Sequence, residues 1–204
     1  TLSITVDTSA PSAPSVSVSV ASNQDTSASI SWTASEAGGA FTCSLDGESF
    51  SLCASSSPIS LTGLSLGSHT YQIKQTDAAG NTSNEGSATW TVIGSALNPT
   101  FGSPTATADG FTVTITNFDA AFTWATPTVS AGSVAITSTT GSNRLLTVTG
   151  LNPGASATIT QATSRTGYAS GSATVSGTAT TGSALNPTFG SPTATADGFT
   201  VTIT

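Results

Sequence analysis

Twenty-three consecutive residues occur twice in this 204-residue chain without a mismatch: GSALNPTFGSPTATADGFTVTIT fills positions 94–116 and again 182–204. The offset of 88 residues matches the size of one small sandwich domain. A fixed period of this length marks an array of modules rather than one large core. A looser match sets Ile4-Thr5-Val6 against Trp90-Thr91-Val92, 86 residues on. Each copy is a strand-like run followed by a linker, and Thr8–Pro14 has linker composition. The expected organisation is the last strand of a preceding domain at 1–7, a whole domain at 8–93, a second whole domain at 94–181, and the first two strands of a third at 182–204. The chain therefore reads as a window from a tandem array.

Within each expected domain the apolar residues alternate, and a period of two puts them on one face of a strand. In the first domain these are Val16, Val18 and Val20; Ile30 and Trp32; Phe41, Cys43 and Leu45; Ile59 and Leu61; Tyr71 and Ile73; Trp90 and Val92. Gly38-Gly39, Asp46-Gly47, Leu66-Gly67 and Ala79-Gly80-Asn81 supply turn chemistry between them. In the second domain the inward set is Phe111, Val113 and Ile115, then Phe122 and Trp124, Val134 and Ile136, Leu146 and Val148, Ile159 and Val175. Asp109-Gly110 reads as a two-residue hairpin turn. In 182–204 the inward residues Phe199, Val201 and Ile203 have no opposing sheet. About seven short strands per domain and no helix-period stretch predict an all-β chain of tandem immunoglobulin-like (fibronectin-III-like) β-sandwiches.

The residues also carry a resemblance. Phe41-Thr-Cys-Ser-Leu-Asp-Gly47, Phe50-Ser-Leu-Cys53, Leu64-Ser-Leu-Gly-Ser-His-Thr-Tyr71 and Thr76-Asp-Ala-Ala-Gly-Asn81 resemble the immunoglobulin-like and fibronectin-III-like repeats of large secreted bacterial surface proteins. Ala96-Leu-Asn-Pro-Thr-Phe101 and Thr147-Val-Thr-Gly-Leu-Asn-Pro-Gly154 resemble a second repeat of the same broad class. The resemblance implies an architectural role in stalks and adhesins and brings no catalytic residues. The second domain departs from the pattern in lacking a Tyr after Gly154.

Composition narrows the function classes. Only 6% of residues are charged, with 3 Lys+Arg against 10 Asp+Glu, where a soluble domain usually carries about 25%. No basic patch is available for nucleic acid. No run of about 18 apolar residues could form a spanning helix, so no membrane insertion is expected in this segment. Ser and Thr together number 75, so the outward strand faces are hydroxyl-rich and nearly uncharged. Such faces suit ordered lateral packing.

Few residues invite chemistry. Cys43 and Cys53 are the only cysteines and flank an expected hairpin. A structural disulfide is the expected outcome, because small secreted domains use such staples and a redox or metal pair needs closer spacing or more ligands. Placing the two directly opposite one another would centre the turn on Glu48 rather than Asp46-Gly47, so a bulge or longer loop is required. His69, the single histidine, is expected to be a structural or surface residue. A triad with Asp77 and a serine would need a nucleophile and an orienting acid within hydrogen-bond reach. The carboxylates are spread singly; Asp7, or Asp77 with Asn81, is the nearest approach to a calcium site. Asn81-Thr82-Ser83 is an N-glycosylation sequon. Trp32, Trp90 and Trp124 sit at alternating strand positions and read as core rather than as a sugar-stacking platform.

The expected function is a structural, non-catalytic segment of an extracellular bacterial tandem-repeat protein: a surface stalk, an adhesin, or a subunit of a filament or surface layer. The alternatives are a glycan- or receptor-binding adhesin module and the accessory domains of a secreted hydrolase. No cofactor is expected. Expected partners are other domains of the array, with copies of the chain itself and surface glycans as candidates. The expected location is the cell surface or outside the cell.

Overall fold

The structure, a computed structural model, describes residues 6–53, 57–182 and 187–203. The strand expected at 1–7 falls mainly on residues outside this set. The fold is all-β. In chain order the strands are β1 (Ser15–Ser19), β2 (Ala28–Thr33), β3 (Ala40–Leu45), β4 (Ser51–Leu52), β5 (Ile59–Leu61), β6 (Gly67–Thr76), β7 (Gly86–Val92), β8 (Thr105–Thr107), β9 (Gly110–Ile115), β10 (Thr123–Trp124), β11 (Thr128–Val129), β12 (Ser133–Thr140), β13 (Asn143–Thr149), β14 (Ser156–Ser164), β15 (Gly171–Thr178), β16 (Thr193–Thr195) and β17 (Gly198–Thr200). Two compact units result, one of residues 1–97, 121–123 and 163–171, the other of 98–120, 124–162 and 172–204.

The first sandwich pairs a β1-β2-β5 sheet with a β4-β3-β6-β7 sheet. The alternation of small polar and apolar residues produces this directly. Val16 lies opposite Trp32 and Val18 opposite Ile30, while Cys43 lies opposite Ile73. Their inward faces meet in one core of Ile30, Trp32, Cys43, Tyr71, Ile73, Trp90 and Val92, with Leu64 closing one margin. Trp32 and Phe41 pack edge to face at 6.0 Å, an arrangement favoured by the ring quadrupoles.

The second sandwich places its extra strand on the other side. Here β12-β13-β9-β8 form one sheet, and β14 pairs with β10, β11 and β15 in the other. With β10 and β11 counted as one interrupted strand, this matches the four-plus-three division of constant-type immunoglobulin domains. In the first sandwich the strand after β3 joins the β3-β6-β7 sheet instead. The β10–β11 interruption falls at Ala125-Thr126-Pro127, where Pro127 has no N–H to give the ladder. Phe111, Val113, Ile115, Leu146, Val148 and Ile159 fill the core, with Trp124, Val134 and Val175 packed against it.

Two local readings are corrected. Ile136, expected inward, is 45% exposed. Its strand is an edge, and a register shift between Ile136 and Ser138 turns the pleat there. The hairpin turn expected at Asp109-Gly110 is Ala108-Asp109 instead, because Gly110 is already in β9 opposite Thr107. Gly110 is present for space: a Cβ there would lie 1.9 Å from the Val148 carbonyl oxygen.

The repeated segment forms the same hairpin at both places. Thr105, Ala106 and Thr107 face Thr112, Phe111 and Gly110; 88 residues later Thr193, Ala194 and Thr195 face Thr200, Phe199 and Gly198. The flanking bridge recurs as Phe101–Ile115 and Phe189–Ile203. Gly102 N–H donates to Thr114 O at 2.8 Å, and Gly190 N–H to Thr202 O at 2.8 Å.

Candidate functional site

The chemistry-bearing residues of the first sandwich gather around the β3–β4 hairpin. Cys43 and Cys53 form a disulfide with a Cα–Cα separation of 5.4 Å. They are diagonal neighbours: Cys43 faces Ser51 and Thr42 faces Leu52, while Cys53 N–H donates to Phe41 O at 3.0 Å. The diagonal removes the sequence difficulty, because the turn stays at Asp46-Gly47 and the loop runs on to β4. Asp46 (φ 53°) and Gly47 (φ 81°) are both left-handed, and Glu48 N–H closes the turn on Leu45 O at 3.0 Å. Consecutive positive φ angles define the type I′ turn that suits strand twist. A shallow cleft beside the disulfide is lined by Ser44, Leu45, Ser51, Leu52 and Tyr71. Burial pushes the Tyr71 phenol up from its ordinary pKa.

His69 is buried on β6 and both ring nitrogens meet acceptors. Nδ1 lies 2.7 Å from Asp46 Oδ2 and Nε2 lies 2.8 Å from Ser65 O. A carboxylate and a carbonyl both call for an N–H, so this geometry suits the imidazolium. The Ser65 carbonyl, then the Asp46 carboxylate, raise the His69 pKa above its ordinary 6.5. For Asp46 burial works upward, but the His69 and Thr70 hydrogen bonds win and hold the carboxyl below its ordinary 3.8. Asp46 Oδ1 also accepts from Thr70 N–H at 2.8 Å, and its own N–H donates to Thr70 O at 2.8 Å. The ring stacks at 5.5 Å on Trp90, its cross-strand neighbour. His69 therefore ties the hairpin turn to β6. Neither nitrogen faces a serine hydroxyl, and Asp77 is not its acid partner.

Asp77 organises a second turn. Its Oδ1 accepts Asn81 N–H at 2.8 Å and its Oδ2 accepts Asn81 Nδ2 at 2.9 Å. The Asn81 amide, with the N–H groups of residues 79–81, holds this carboxyl below its ordinary pKa. Its oxygens thus face donors, where a cation would need them free. Asn81 Nδ2 also donates to Asp7 O at 3.2 Å. Ser83, the hydroxyl residue of the sequon, is buried, and its Oγ accepts from Gln75 N–H at 2.9 Å. A glycan on Asn81 would displace these amide contacts. Among the described residues no three His, Cys, Asp or Glu side chains converge as a metal would require.

All three Lys and Arg side chains lie over aromatic rings. Lys74 Nζ is 4.2 Å from the Phe50 centroid and 3.1 Å from Glu85. The Arg144 guanidinium is 3.9 Å from Phe118, and that of Arg165 is 4.4 Å from Tyr168. Trp32 and Trp90 are buried in the first core. Trp124 is half-buried, with its Nε1 donating to Asp119 O at 2.9 Å. Among the described residues no helix is long and apolar enough to cross a membrane.

Sequence reasoning missed the two most buried polar side chains, Gln75 and Gln161, both 0% exposed. Gln75 uses its whole amide: Oε1 accepts Ser35 N–H and Oγ–H at 3.0 and 3.2 Å, and Nε2 donates to Glu36 O and Gly38 O at 2.8 and 3.1 Å. It pins the β2–β3 connection. The available signal was parity, since Tyr71, Ile73 and Gln75 share the inward face of β6.

No family model matches the chain, and no curated protein matches it. Among solved structures it is similar to a two-domain fibronectin type III segment of chicken tenascin, with 18% identity over 82% of this chain and 99% of that one, at a TM-score of 0.39. It is similar to the central fibronectin-III array of RIM-binding protein, with 14% identity over 95% of this chain and 79% of that one, at a TM-score of 0.30. It is also similar to a chitinase of Bacillus thuringiensis, with 22% identity over 83% of this chain and 27% of that one, at a TM-score of 0.31.

Proposed function

We propose that the chain is a structural, non-catalytic segment of an extracellular bacterial tandem-repeat protein, built to extend or assemble a surface structure by adding rigid sandwiches. One observation carries this reading: a 23-residue segment recurs at a fixed offset and takes the same hairpin register at both sites. Such a duplication copies scaffold, strand and turn together, which is what an array of modules requires. The Cys43–Cys53 disulfide supports an oxidising compartment. The polar groups that could have done chemistry are committed to structure. His69 has both nitrogens bonded to acceptors, and the Asp77 carboxylate faces donors.

Single-molecule pulling of the whole chain tests the reading. Two unfolding events are expected, the second sandwich releasing roughly 250–300 Å for some 88 residues at about 3.3–3.6 Å per extended residue, and the first roughly 30–40 Å less while the disulfide keeps residues 43–53 closed, a difference that reduction should restore. Extension without discrete events would overturn the reading as an array of rigid sandwiches. Turnover of a glycan, ester or peptide that survives repurification would overturn the non-catalytic one.

A further inference from the structure

One cation of the second sandwich faces inward. Arg144 lies opposite Ile115, in the row that continues with Leu146 opposite Val113 and Val148 opposite Phe111. Those residues are core, so the pleat sends the Arg144 side chain toward the apolar interior. Its guanidinium comes to rest 3.9 Å from the Phe118 ring centroid and 5.6 Å from that of Trp124, and the two rings stand 5.3 Å apart. Both rings are held in place. Phe118 N–H donates to Ser142 O at 2.7 Å, and Trp124 Nε1 donates to Asp119 O at 2.9 Å. The cation itself is uncompensated. The ion pairs among the described residues are His69–Asp46 and Lys74–Glu85, so Arg144 has no carboxylate. Its Nε is buried and meets no acceptor, and burial pulls its pKa below the ordinary value. A half-buried charge without a counter-ion is costly, and stacking on the rings offsets only part of that cost. Such a corner suits an anion that comes from outside.

We propose that Arg144, Phe118 and Trp124 form a binding site for a saccharide unit carrying one carboxylate, a uronate. The guanidinium takes the carboxylate at its Nη end, since Nε is covered, in the paired N–H···O geometry that a planar guanidinium provides. The C–H face of the sugar ring lies against the half-buried aromatic rings, whose π faces are negative. Ser142, in the adjoining turn, and Asn143 beside it are both exposed and supply a hydroxyl and an amide for the ring hydroxyls. The charge count sets the class of ligand. Arg144 is the only Lys or Arg in residues 98–162, a stretch that also contains Asp109 and Asp119, and the whole chain has a net charge of -7. A densely charged chain, such as a nucleic acid or a sulfated glycan, needs several cations to neutralise it. One carboxylate per sugar matches one guanidinium. An acidic peptide has the charge but lacks the rigid C–H ring face that the two aromatic rings call for.

The site stands apart from the array reading, because an array needs no ligand and pulling is blind to a bound sugar. NMR titration of the whole chain with methyl glucuronide, methyl glucoside and acetate tests it, read at the Arg144 Nε–H and Trp124 Nε1–H signals. Methyl glucuronide is expected to move both signals saturably. The glucoside, which lacks the carboxylate, and acetate, which lacks the ring, are each expected to bind at least about tenfold more weakly. Arg144→Gln should abolish the response. Arg144→Lys keeps the charge but loses the planar fork, and should weaken glucuronide binding by about tenfold. The urea transition of the second sandwich shows which variants are folded, and the Lys variant decides if the Gln variant is not. No saturable shift would overturn the proposal and leave the guanidinium as a structural cap on the core. An equal response to acetate would overturn it by making this a site for any small anion. Tighter binding of a tetraglutamate peptide would make an acidic chain the ligand instead, and unchanged affinity in the Lys variant would remove the paired contact.

Discussion

The imidazole of His69 lies 2.7 Å from the carboxylate of Asp46 across 23 residues of sequence. It joins a left-handed turn to the longest strand of the first sandwich. The contact makes stability depend on pH in two directions. The folded pKa of His69 is raised, so its contribution is complete below about 6.5 and is lost as pH rises through the folded value. The folded pKa of Asp46 is lowered, so its contribution is present above the ordinary carboxylate range and is lost as pH falls through the folded value. The first sandwich is expected to be most stable between the two, with its melting temperature declining as the pH rises above about 6.5. His69→Gln should flatten this high-pH limb. A pH profile for that variant parallel to the original would show that the pair does not govern it.

Reducing Cys43–Cys53 should destabilise the first sandwich by about 2.5–3 kcal/mol on the chain-entropy model, since the closed loop is short. The second sandwich contains no cysteine, and its unfolding transition should stay where it is. Urea denaturation with and without reductant, followed by tryptophan fluorescence, separates the two transitions. An unchanged first midpoint would mean that the remaining hairpin contacts already hold the loop.

Gln75 and Gln161 occupy corresponding inward positions on β6 and β14, two residues after Ile73 and Ile159. They differ in satisfaction. Gln75 fills both donor and both acceptor positions, whereas Gln161 donates to Ala125 O at 2.7 Å and leaves a buried Oε1 without a partner. Leucine at 75 strands the Ser35 N–H and two carbonyls and should cost roughly 2–4 kcal/mol, because each buried group left unpaired costs about 1–3 kcal/mol. Leucine at 161 removes an unpaired oxygen along with the donors, and of the two carbonyls that lose a bond Ala162 O still accepts Ala125 N–H, so it should cost less, about 1 kcal/mol. Equal losses in chemical denaturation would refute the difference.

Parity made most of the first core legible. Ile30, Trp32, Cys43, Tyr71, Ile73 and Trp90 fall inward because period two on short strands leaves no other face for them. Parity fails where the pleat is broken. Ile136 sits beside a bulge, and a bulge has no composition of its own. The Asp46–His69 contact was hidden because it joins a turn to a distant strand. The two motifs seen singly, Asp-Gly and a lone His, gave no sign of their pairing. The disulfide was legible as a pair, but its diagonal geometry was not, since only the register of β3 against β4 sets it.

Gly110 shows why an identical sequence need not carry an identical requirement. At Gly110 an added Cβ would meet the Val148 carbonyl at 1.9 Å and its carbon at 2.6 Å; at Gly198, the same residue of the repeat, it would meet nothing within 4 Å. The obstacle at 110 is backbone of β13, the strand that pairs with β9, so it cannot yield by a rotamer change. Gly110→Ala should therefore destabilise the second sandwich by about 2–3 kcal/mol or more, at the upper end of overpacking costs. Gly198→Ala should be neutral within about 0.5 kcal/mol, or slightly stabilising through the unfolded chain. Urea midpoints of the two single variants provide the comparison. If both variants match the original chain, Val148 does not approach β9 as closely as the packing indicates. If Gly198→Ala falls as far as Gly110→Ala, the hairpin at 193–200 is already covered in solution by a strand equivalent to β13.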